Sequence, residues 1–484
     1  MDQGQRVLDL QPVRDLDDHV GRGGGKGLEV ARRLGPAGII EHVQASGLRG
    51  RGGAGFPTGT KLATVAANTS ATIPTTVVVN GAEGEPGTFK DRAIMRANPF
   101  RVLEGALIAA EAVAADRIVI GLKRSEGLEV ERMRVAADEI TARGWAPDVQ
   151  IEVVEGPSTY LYGEETALLE VLSGREPFPR TAPPFRHGVE DEEGDASEVV
   201  ATAAMAGTST GAPPTLVSNV ETFANLPGIL AEGPAWFREL GTEASPGTIV
   251  CTVTGAMERH GVVEVPMGTT LRTVIEAVGG NTTSGGQIVA AVSGVANPLL
   301  PAALLDTPLT YEDMEAAGSG LGAAGFIVLD DETDLVAFAA GVSRFLAVES
   351  CGQCTPCKQD GLAISGLLDR MRRSEAEPAD LDEVQDRLDT VADGARCYLA
   401  NQQEQVIRSA LTLFPEPFIA HLERRLGAVD ALLVAPILDI VDDRAVLDER
   451  QADKQPDWTF DAEDSGQAPA DRVDGSNEVG GALP

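Results

Sequence analysis

The sequence predicts an α/β domain, then a small domain of strands with one helix, then a helical domain. Three observations support this order. Between residues 31 and 245, short apolar runs alternate with helical stretches, which is typical of a largely parallel sheet covered by helices. Residues 246–330 open with two strand-like runs joined by a turn and continue into a helical run. Residues 331–427 repeat apolar positions at helical spacing.

The first domain is expected to follow an N-terminal arm at residues 1–30, which is polar and rich in glycine around GRGGGKG. Its strand candidates are TTVVVN, RIVIGL and VQIEVVEG, and Phe100–Ala114 has helical spacing. Within this domain Gly188–Ser209 is acidic and rich in small residues. We interpret that segment as a surface insertion.

The second domain begins with GTIVCTVTG and GVVEVPMG, followed by the helical run LRTVIEAV. A hairpin followed by a helix is the opening of a β-grasp, or ubiquitin-like, domain, and VAAVSG and GFIVLD supply further strands. The helical runs of residues 331–427 predict a small bundle. In the last segment, 428–484, ALLVAPILDIVDDRAVL predicts a hairpin. From residue 451 the chain has 8 acidic and 2 basic residues, which predicts a disordered tail.

Composition limits the class of protein and its partners. Of 484 residues 43% are hydrophobic, which is enough for packed cores. The 39 basic and 74 acidic residues give a formal net charge of −35, which argues against nucleic acid as a partner. No apolar run reaches the roughly 18 residues of a membrane span, and no apolar signal segment opens the sequence. We therefore expect a cytoplasmic protein without direct membrane insertion.

Four of the five cysteines are spaced as ligands of one metal centre. Cys351, Cys354 and Cys357 form a C-x2-C-x2-C run, and Cys397 follows after 39 intervening residues. Three thiolates on a tight loop reach three corners of a cubane and a remote fourth closes it, which is the usual pattern for a [4Fe–4S] cluster. Zinc, which favours paired C-x2-C knuckles, and unreactive buried cysteines are the alternatives. Cys251 is interpreted as a small buried hydrophobe.

A glycine-rich segment, GLRGRGGAGFPTGTK, contains G-x-G-x-x-G in Gly50, Gly52 and Gly55. It follows a helical run rather than a strand, so it does not meet the Rossmann fingerprint. Backbone amides without Cβ atoms can nevertheless approach a phosphate or a flat ring closely, and Arg51 and Lys61 supply positive charge. The alternative is a flexible surface loop.

Two acidic segments are the other candidates for a ligand site. Asn80, Glu83 and Glu85 follow a strand directly, at the edge where open α/β sheets bind ligands. The second segment, STYLYGEETALLE, places a tyrosine and two carboxylates before a helix, namely Tyr160, Glu164 and Glu165. Helix N-terminal charge is the alternative reason for these acids.

With these motifs in order, residues 31–426 resemble the NADH-binding flavoprotein subunit of respiratory complex I and its relatives in NAD-linked hydrogenases and formate dehydrogenases. SNVET, PPF and GSGLGAAGFIVLD extend the match. The resemblance implies an FMN site in the α/β domain, a ubiquitin-like domain and a bundle with one [4Fe–4S] cluster. It implies that NADH passes a hydride to FMN, which passes single electrons to the cluster. It also implies partner subunits, namely a [2Fe–2S] subunit and ferredoxin-like subunits, that hold the chain at the inner face of the membrane.

The resemblance also implies residue roles by motif position. Glu83 and Glu165 are the implied catalytic residues, and Phe56, Glu165 and Phe185 are the implied nucleotide contacts, with Phe185 stacking on adenine. The implied cluster ligands are Cys351, Cys354, Cys357 and Cys397. The implied flavin contacts are Gly50, Arg51, Gly52, Gly53, Lys61, Asn80, Glu83, Tyr160, Gly163, Glu164, Glu165, Ser218, Asn219 and Thr222.

Four positions depart from the family pattern. Ala82 stands where the family has an acid that binds the ribityl chain, and Ser218 replaces an asparagine. Thr64 and Ala182 replace an aromatic and a basic residue that hold the nicotinamide nucleotide. Two readings follow from these losses, an NADH-linked subunit or an electron relay with a ferredoxin-like donor. A scaffold subunit with a cluster and no flavin is the third.

Overall fold

A computed structural model of the chain describes most of its length, namely residues 5–69, 73–184, 188–189, 214–460 and 462–476. Two features of the sequence analysis lie outside the described residues. One is Phe185, the implied adenine contact. The other is the predicted insertion at 188–209, of which only the first two residues are described.

The first domain is built around a four-stranded parallel sheet in the order β3–β2–β1–β4. The central residues of β1, Val77, Val78 and Val79, are fully buried, as expected for a parallel strand covered on both faces. The parallel α/β sheet predicted from the alternating pattern is therefore confirmed. Its strands are β1 Thr76–Asn80, β2 Arg117–Lys123, β3 Gln150–Gly156 and β4 Thr215–Asn219.

The helices of this domain cover the sheet and shape the loops at its edge. They are α1 Leu16–Gly21, α2 Lys26–Ser46, α3 Thr58–Ala67, α4 Lys90–Ala97, α5 Pro99–Val113, α6 Gly127–Ala142, α7 Glu165–Leu172, α8 Val220–Glu232 and α9 Pro234–Phe237. α2, α5 and α8 pack against one another, and α5 also lies on β1 and β2. The expected helix at Phe100–Ala114 corresponds to α5.

The loops after β1 and β4 meet at one edge of the sheet. These strands are parallel neighbours, and their last residues, Asn80 and Asn219, are paired in register. The carboxyl ends of parallel strands open onto the same edge, where open α/β sheets bind their ligands. The acidic loop after Asn80 therefore lies beside the beginning of α8.

The N-terminal segment is part of the first domain rather than a separate arm, which corrects the boundary expected at residue 30. Val7, Val13, Leu16 and Leu28 are buried in the core of the α/β domain. The backbone N–H groups of Val7 and Leu8 donate to the carboxylate of Glu264, at 2.9 and 2.8 Å. A few apolar anchors at wide spacing thus hold a segment whose composition is mostly polar.

The second domain contains a five-stranded sheet between Thr248 and Asp330, in the order β6–β5–β9–β7–β8. β5 pairs antiparallel with β6 and parallel with β9, and β7 pairs antiparallel with β9 and β8. Cys251 is fully buried on β5 in the apolar core, which agrees with its interpretation as a hydrophobe. The elements are β5 Thr248–Gly255, β6 Gly261–Pro266, α10 Leu271–Gly279, β7 Ile288–Ser293, β8 Leu300–Pro301, α11 Tyr311–Ala316 and β9 Gly325–Asp330.

The third domain is helical. α12 begins after Asp334, whose carboxylate accepts the N–H groups of Val336 and Ala337, and it packs against α13 and α15. The helices are α12 Leu335–Glu349, α13 Thr355–Arg372, α14 Pro378–Leu388, α15 Leu399–Leu413 and α16 Pro415–Leu422. In the described part of the chain, no helix combines the length and the apolar character needed to cross a membrane.

A hairpin follows the helical domain and joins the first two domains. It consists of β10 Ile437–Val441 and β11 Arg444–Leu447. The guanidinium of Arg92 on α4 donates to the carbonyls of Ile437 and Leu438, at 2.8 and 2.6 Å. Arg444 donates to the carbonyl of Met257 in the second domain at 2.8 Å.

The segment after residue 451 is ordered through most of its described length, which corrects the predicted disordered tail. Trp458 is only 4% exposed, and its indole N–H donates to the carbonyl of Val348 at 3.0 Å. Lys454 Nζ lies 2.7 Å from Glu349 Oε1 at the end of α12. The segment ends in α17, Pro469–Ser476. One tryptophan and one buried ion pair thus hold a stretch that is acidic overall.

Replacing Trp458 with alanine tests this docking. Truncating a buried tryptophan costs about 3–5 kcal/mol of unfolding free energy, so the Trp458→Ala protein should melt at a lower temperature by far-ultraviolet circular dichroism. Phe460→Ala is the matched control, because that ring is 37% exposed. Equal melting temperatures for the two variants would contradict the docked arrangement.

Candidate functional site

A cavity of about 640 Å³, the main cavity, opens at the carboxyl edge of the first sheet. Its walls come from all three domains, since Asn297 and Ala323 of the second domain and Tyr398 and Gln402 of the third line it as well. The structure thus brings together most of the residues singled out from the sequence. Those that line the main cavity are Gly50, Gly52, Gly53, Gly55, Phe56, Lys61, Asn80, Glu85, Tyr160, Gly163, Glu164, Glu165, Ser218, Asn219 and Thr222.

A second space of about 250 Å³, the inner cavity, adjoins the main cavity. Glu83, Asp91 and Cys397 are among the residues that line it. The two cavities share walls, including Tyr160, Asn219 and Tyr398. The inner cavity is therefore lined both by residues of the main cavity and by Cys397, one of the four predicted cluster ligands.

The glycine-rich loop is held open by bonds from outside it. The N–H of Arg51 donates to Thr222 Oγ1 on α8 at 2.9 Å, and the Tyr311 hydroxyl donates to the carbonyl of Gly50 at 2.7 Å. Gly53 has a φ of 126°, a backbone conformation that side chains with a Cβ rarely adopt. A Cβ added to Gly52 would lie 3.2 Å from Asn219 Cβ, so a bare backbone faces the end of β4.

The side chain of Arg51 differs from its implied role as a flavin contact. It is 2% exposed and its guanidinium donates to the carbonyls of Pro246 and Thr248, both at 3.2 Å. It also lies 3.9 Å from Glu221. The side chain is therefore directed into the interface with the second domain rather than into the main cavity.

A buried group of charges that the sequence analysis missed lies under the site. Lys90 Nζ is 2.7 Å from Asp91 Oδ1, 3.0 Å from Glu221 Oε2 and 3.1 Å from Asn219 Oδ1. Burial by itself would lower the pKa of Lys90, but the carboxylates of Asp91 and Glu221 outweigh it and raise that pKa. The amide of Asn219 also donates to Asp91 Oδ2 at 2.6 Å, so the charges fix the orientation of a cavity side chain.

Two acids of the loop after β1 have raised pKa values. Burial, with the nearby charge of Asp91 adding to it, raises the pKa of Glu83 to about 7. Burial also raises the pKa of Glu85 to about 7, although its carboxylate accepts the N–H of Val295 at 3.2 Å. Both carboxyls are therefore able to hold a proton near neutral pH.

Lys61 and two acids at the beginning of α7, Glu164 and Glu165, line the main cavity. Lys61 Nζ lies 2.5 Å from Glu165 Oε1 and donates to the carbonyl of Val217 at 2.7 Å. Glu164 caps α7, since its carboxylate accepts the N–H groups of Thr166 and Ala167, at 2.9 and 2.8 Å. Burial raises the pKa of Glu164. Glu165 is thus the member of the pair whose carboxylate is directed toward a cation.

Two residues of the helical domain, Tyr398 and Gln402, line the main cavity although the sequence analysis did not predict them as site residues. Gln402 donates from Nε2 to the phenol oxygen of Tyr160 at 2.9 Å. Tyr398 directly follows Cys397 and has a side chain that is 53% exposed. Their proximity to the last predicted cluster cysteine was the only available signal.

The four predicted cluster ligands line one cavity between α13 and the loop before α15. Burial raises the pKa of the Cys357 thiol to about 11 and that of Cys397 to about 12. Across the described residues, no three Cys, His, Asp or Glu side chains converge closely enough for a single metal ion. The [4Fe–4S] interpretation therefore depends on the C-x2-C-x2-C spacing and on the cavity that the four cysteines share.

The four departures from the family pattern have different surroundings. Ala82 is buried in a small apolar cluster on the sheet, whereas Ser218 lines the main cavity. Thr64 lies on α3 and its hydroxyl donates to the carbonyl of Thr60 at 2.9 Å. Ala182 is half-buried three residues before the undescribed Phe185.

Comparisons with known proteins match each of the three domains. Residues 43–228 match the Nuo51 FMN-binding domain. Residues 250–292 match the SLBB domain. Residues 337–421 match the iron-sulfur binding region of NADH-ubiquinone oxidoreductase-F.

Similar proteins extend over most of the chain. An F subunit of the NADH-quinone oxidoreductase of Rhizobium meliloti is 35% identical over 399 residues, which are 81% of this chain and 90% of the relative. The HndC subunit of the NADP-reducing hydrogenase of Solidesulfovibrio fructosivorans is 33% identical over 417 residues, 84% of this chain and 81% of the relative. The crystal structure of an NAD+-reducing [NiFe]-hydrogenase in the H2-reduced state matches with a TM-score of 0.72 and 30% identity. That match covers 86% of this chain and 66%, just under two thirds, of the hydrogenase chain.

The raised pKa of Glu85 predicts that the free energy of unfolding depends on pH. The pKa rises from 4.5 to about 7 on folding, so the folded chain binds the proton more tightly than the unfolded chain. The free energy of unfolding should then fall as pH rises from about 4.5 to 7, by about 3 kcal/mol for this group. Glu85→Gln removes the ionisation, so the thermal stability of the ligand-free variant should depend less steeply on pH in this range. Glu41→Gln, an exposed position on α2, should leave the slope unchanged, and an unchanged slope in Glu85→Gln would refute the assignment.

Proposed function

The chain belongs to the family of NADH-quinone oxidoreductase F subunits, and from that membership we propose which of its residues serve the family's chemistry. It is an oxidoreductase subunit that transfers electrons between NAD(H) and a [4Fe–4S] cluster through FMN. When bound, FMN exchanges a hydride with NAD(H) and single electrons with the cluster. The observation that supports this most is that the main and inner cavities share lining residues and together extend from the glycine loop to Cys397.

We assign the FMN site to the main cavity. Its volume of about 640 Å³ lies within the usual range of cofactor sites. The bare backbone of Gly52 and Gly163 keeps the cavity open, since a Cβ at Gly163 would lie 2.7 Å from the carbonyl oxygen of Ala82. The proposed contacts are the implied set without the side chain of Arg51, which is directed away from the cavity, and with Glu83 reached from the adjoining inner cavity, namely Gly50, Gly52, Gly53, Lys61, Asn80, Glu83, Tyr160, Gly163, Glu164, Glu165, Ser218, Asn219 and Thr222.

The NAD(H) site is proposed on the outer side of the same cavity. Phe56 lies in the glycine loop with 52% of its side chain exposed, an aromatic surface available for stacking. The carboxylate of Glu165, oriented by Lys61 Nζ at 2.5 Å, can accept hydroxyl or amide donors of the nucleotide. Phe185 remains a proposed adenine contact from the sequence motif.

The two implied catalytic acids take different roles in this proposal. Glu165 lies in the main cavity and positions the nucleotide. Glu83 lines the inner cavity and faces the N–H groups of Asp91 and Arg92, both at 3.3 Å. Because its pKa is about 7, Glu83 can release or take up a proton at neutral pH as charge develops in the site.

We assign Cys351, Cys354, Cys357 and Cys397 as the ligands of the [4Fe–4S] cluster. Their common cavity and their C-x2-C-x2-C spacing with a remote fourth cysteine support this set. Gln353 Nε2 donates to Cys351 Sγ at 3.4 Å, and the Ser350 hydroxyl lies 3.3 Å from Cys357 Sγ. Hydrogen bonds of this kind stabilise thiolate charge.

The proposal also covers the fold of the second and third domains and the partner subunits. We assign residues 246–330 to the β-grasp class, since the strand order β6–β5–β9–β7–β8 with α10 after the hairpin is the ubiquitin-like order, and residues 331–427 to a helical bundle. Similar chains are subunits of larger enzymes by name, so redox partner subunits receive or supply the electrons. A [2Fe–2S] subunit, ferredoxin-like subunits and a cytoplasmic position at the inner membrane face are the proposed arrangement.

Substitution of single cysteines tests the cluster assignment. Cys397→Ser should lose the broad visible iron–sulfur absorbance and at least about half of the bound iron, since one thiolate of four is removed. Cys251→Ser is the matched control, because Cys251 is buried in the second domain, and it should retain both signals. The assignment would be contradicted if Cys251→Ser lost iron while Cys397→Ser kept a complete cluster.

The electron donor is tested by mixing NADH rapidly with the oxidised, flavin-loaded protein. Bleaching of the flavin band at sub-millimolar NADH is the expected result for an NAD-linked subunit. Phe56→Ala should raise the NADH concentration for half-maximal rate about 10-fold, the loss expected for one stacking contact of about 1.4 kcal/mol, with unchanged FMN content. An absence of bleaching at several millimolar NADH, in protein that dithionite still reduces, would favour the ferredoxin-like donor.

A further inference from the structure

Among the described residues few aromatic rings are exposed, and two of them lie at the main cavity. Over the described residues, three aromatic side chains are more than about a third exposed, namely Phe56, Tyr398 and Phe460. Phe56 and Tyr398 both line the main cavity. Exposed aromatic surface is unfavourable in water and favours contact with a flat ligand. Phe56 is already proposed as a nucleotide contact, so the question is which ligand Tyr398 contacts.

Tyr398 differs from Phe56 in its place between the ligand site and the cluster. It directly follows Cys397 and precedes α15, and it lines both the main and the inner cavity. Phe56 lines the main cavity from the side of the glycine loop. The ring of Tyr398 therefore belongs to the wall nearest the cysteine centre.

Both tyrosines of this wall are held by glutamines of the same helix. Gln402 donates from Nε2 to the Tyr160 phenol oxygen at 2.9 Å. One turn later, Gln405 donates from Nε2 to the Tyr398 phenol oxygen at 2.7 Å. Tyr160 also packs on Phe345 of α12, with ring centroids 5.3 Å apart. The two rings are thus oriented by hydrogen bonds whose donors are part of the helical domain.

We propose that Tyr398 contacts the ring system of FMN and, with Tyr160, forms the wall of the flavin site that faces the cluster. This inference rests on the proposed function, because it takes the main cavity as the FMN site. The flavin must lie between the nucleotide and the cluster for electrons to pass in sequence. A ring that lines the inner cavity beside Cys397 is therefore on the flavin side, whereas Phe56 is on the nucleotide side.

The contact is tested by FMN binding to the deflavinated full-length chain with its cluster retained. Tyr398→Ala and Tyr398→Leu should both weaken FMN binding about 10-fold, which corresponds to about 1.4 kcal/mol, because neither keeps an aromatic ring. Tyr398→Phe should bind FMN within about 2-fold of the unchanged protein. Phe460→Ala, the third exposed aromatic, is the matched control and should not alter binding. Quenching of flavin fluorescence measures the affinity.

A second readout separates the flavin contact from other effects. Iron content and the electron paramagnetic resonance signal of the dithionite-reduced cluster should be unchanged in Tyr398→Leu, which keeps apolar bulk beside Cys397. Unaltered FMN affinity in Tyr398→Ala and Tyr398→Leu would overturn the proposal. It would also be overturned if these variants lost affinity for ADP-ribose while keeping that for FMN. Failure of the unchanged protein to bind FMN would instead reject the proposed function itself.

Discussion

The geometry of the site depends on one buried ammonium group. Lys90 Nζ is surrounded by Asp91, Glu221 and Asn219 within 3.1 Å. Glu221 in turn accepts the N–H of Val250 on β5 at 2.9 Å, so a single charge joins the loop after β1, the beginning of α8 and the second domain. Removing one partner of a buried ion group leaves the other uncompensated, at a cost of about 3–5 kcal/mol. The cavity above it is therefore held by charge as well as by packing.

The ligand site is assembled by three domains rather than by the α/β domain alone. The glycine loop and the carboxyl ends of β1 and β4 line the main cavity from the first domain. The second domain adds Asn297 and Ala323, and the helical domain adds Tyr398 and Gln402. The hairpin and the segment after it tie these domains together through Arg92, among others. A cofactor bound in this cavity would lie near the predicted cluster ligands, because the helical domain that carries Cys397 also forms part of the cavity wall.

The predictions from sequence were wrong for segments whose packing depends on a few side chains. The N-terminal segment is polar in composition, yet four apolar anchors place it in the core. The acidic segment after residue 451 is docked by Trp458 and by the ion pair of Lys454 with Glu349. Composition averages over such residues, since one buried indole outweighs several solvated carboxylates. Arg51 was assigned by motif, but the direction of its side chain is set by carbonyls of the second domain.

The sequence by itself determined the parallel sheet and the position of the glycine loop, and it predicted four cysteines that the structure places around one cavity, because periodicity, turn chemistry and ligand spacing are local properties of the chain. Only the tertiary structure decided which side chains share a cavity. Tyr398 and Gln402 come from more than 200 residues beyond Tyr160 in the chain, and the burial that raises the pKa of Glu83 and Glu85 comes from neighbours brought together by folding. Long-range contact and desolvation leave no local signal, and both depend on how the three domains pack.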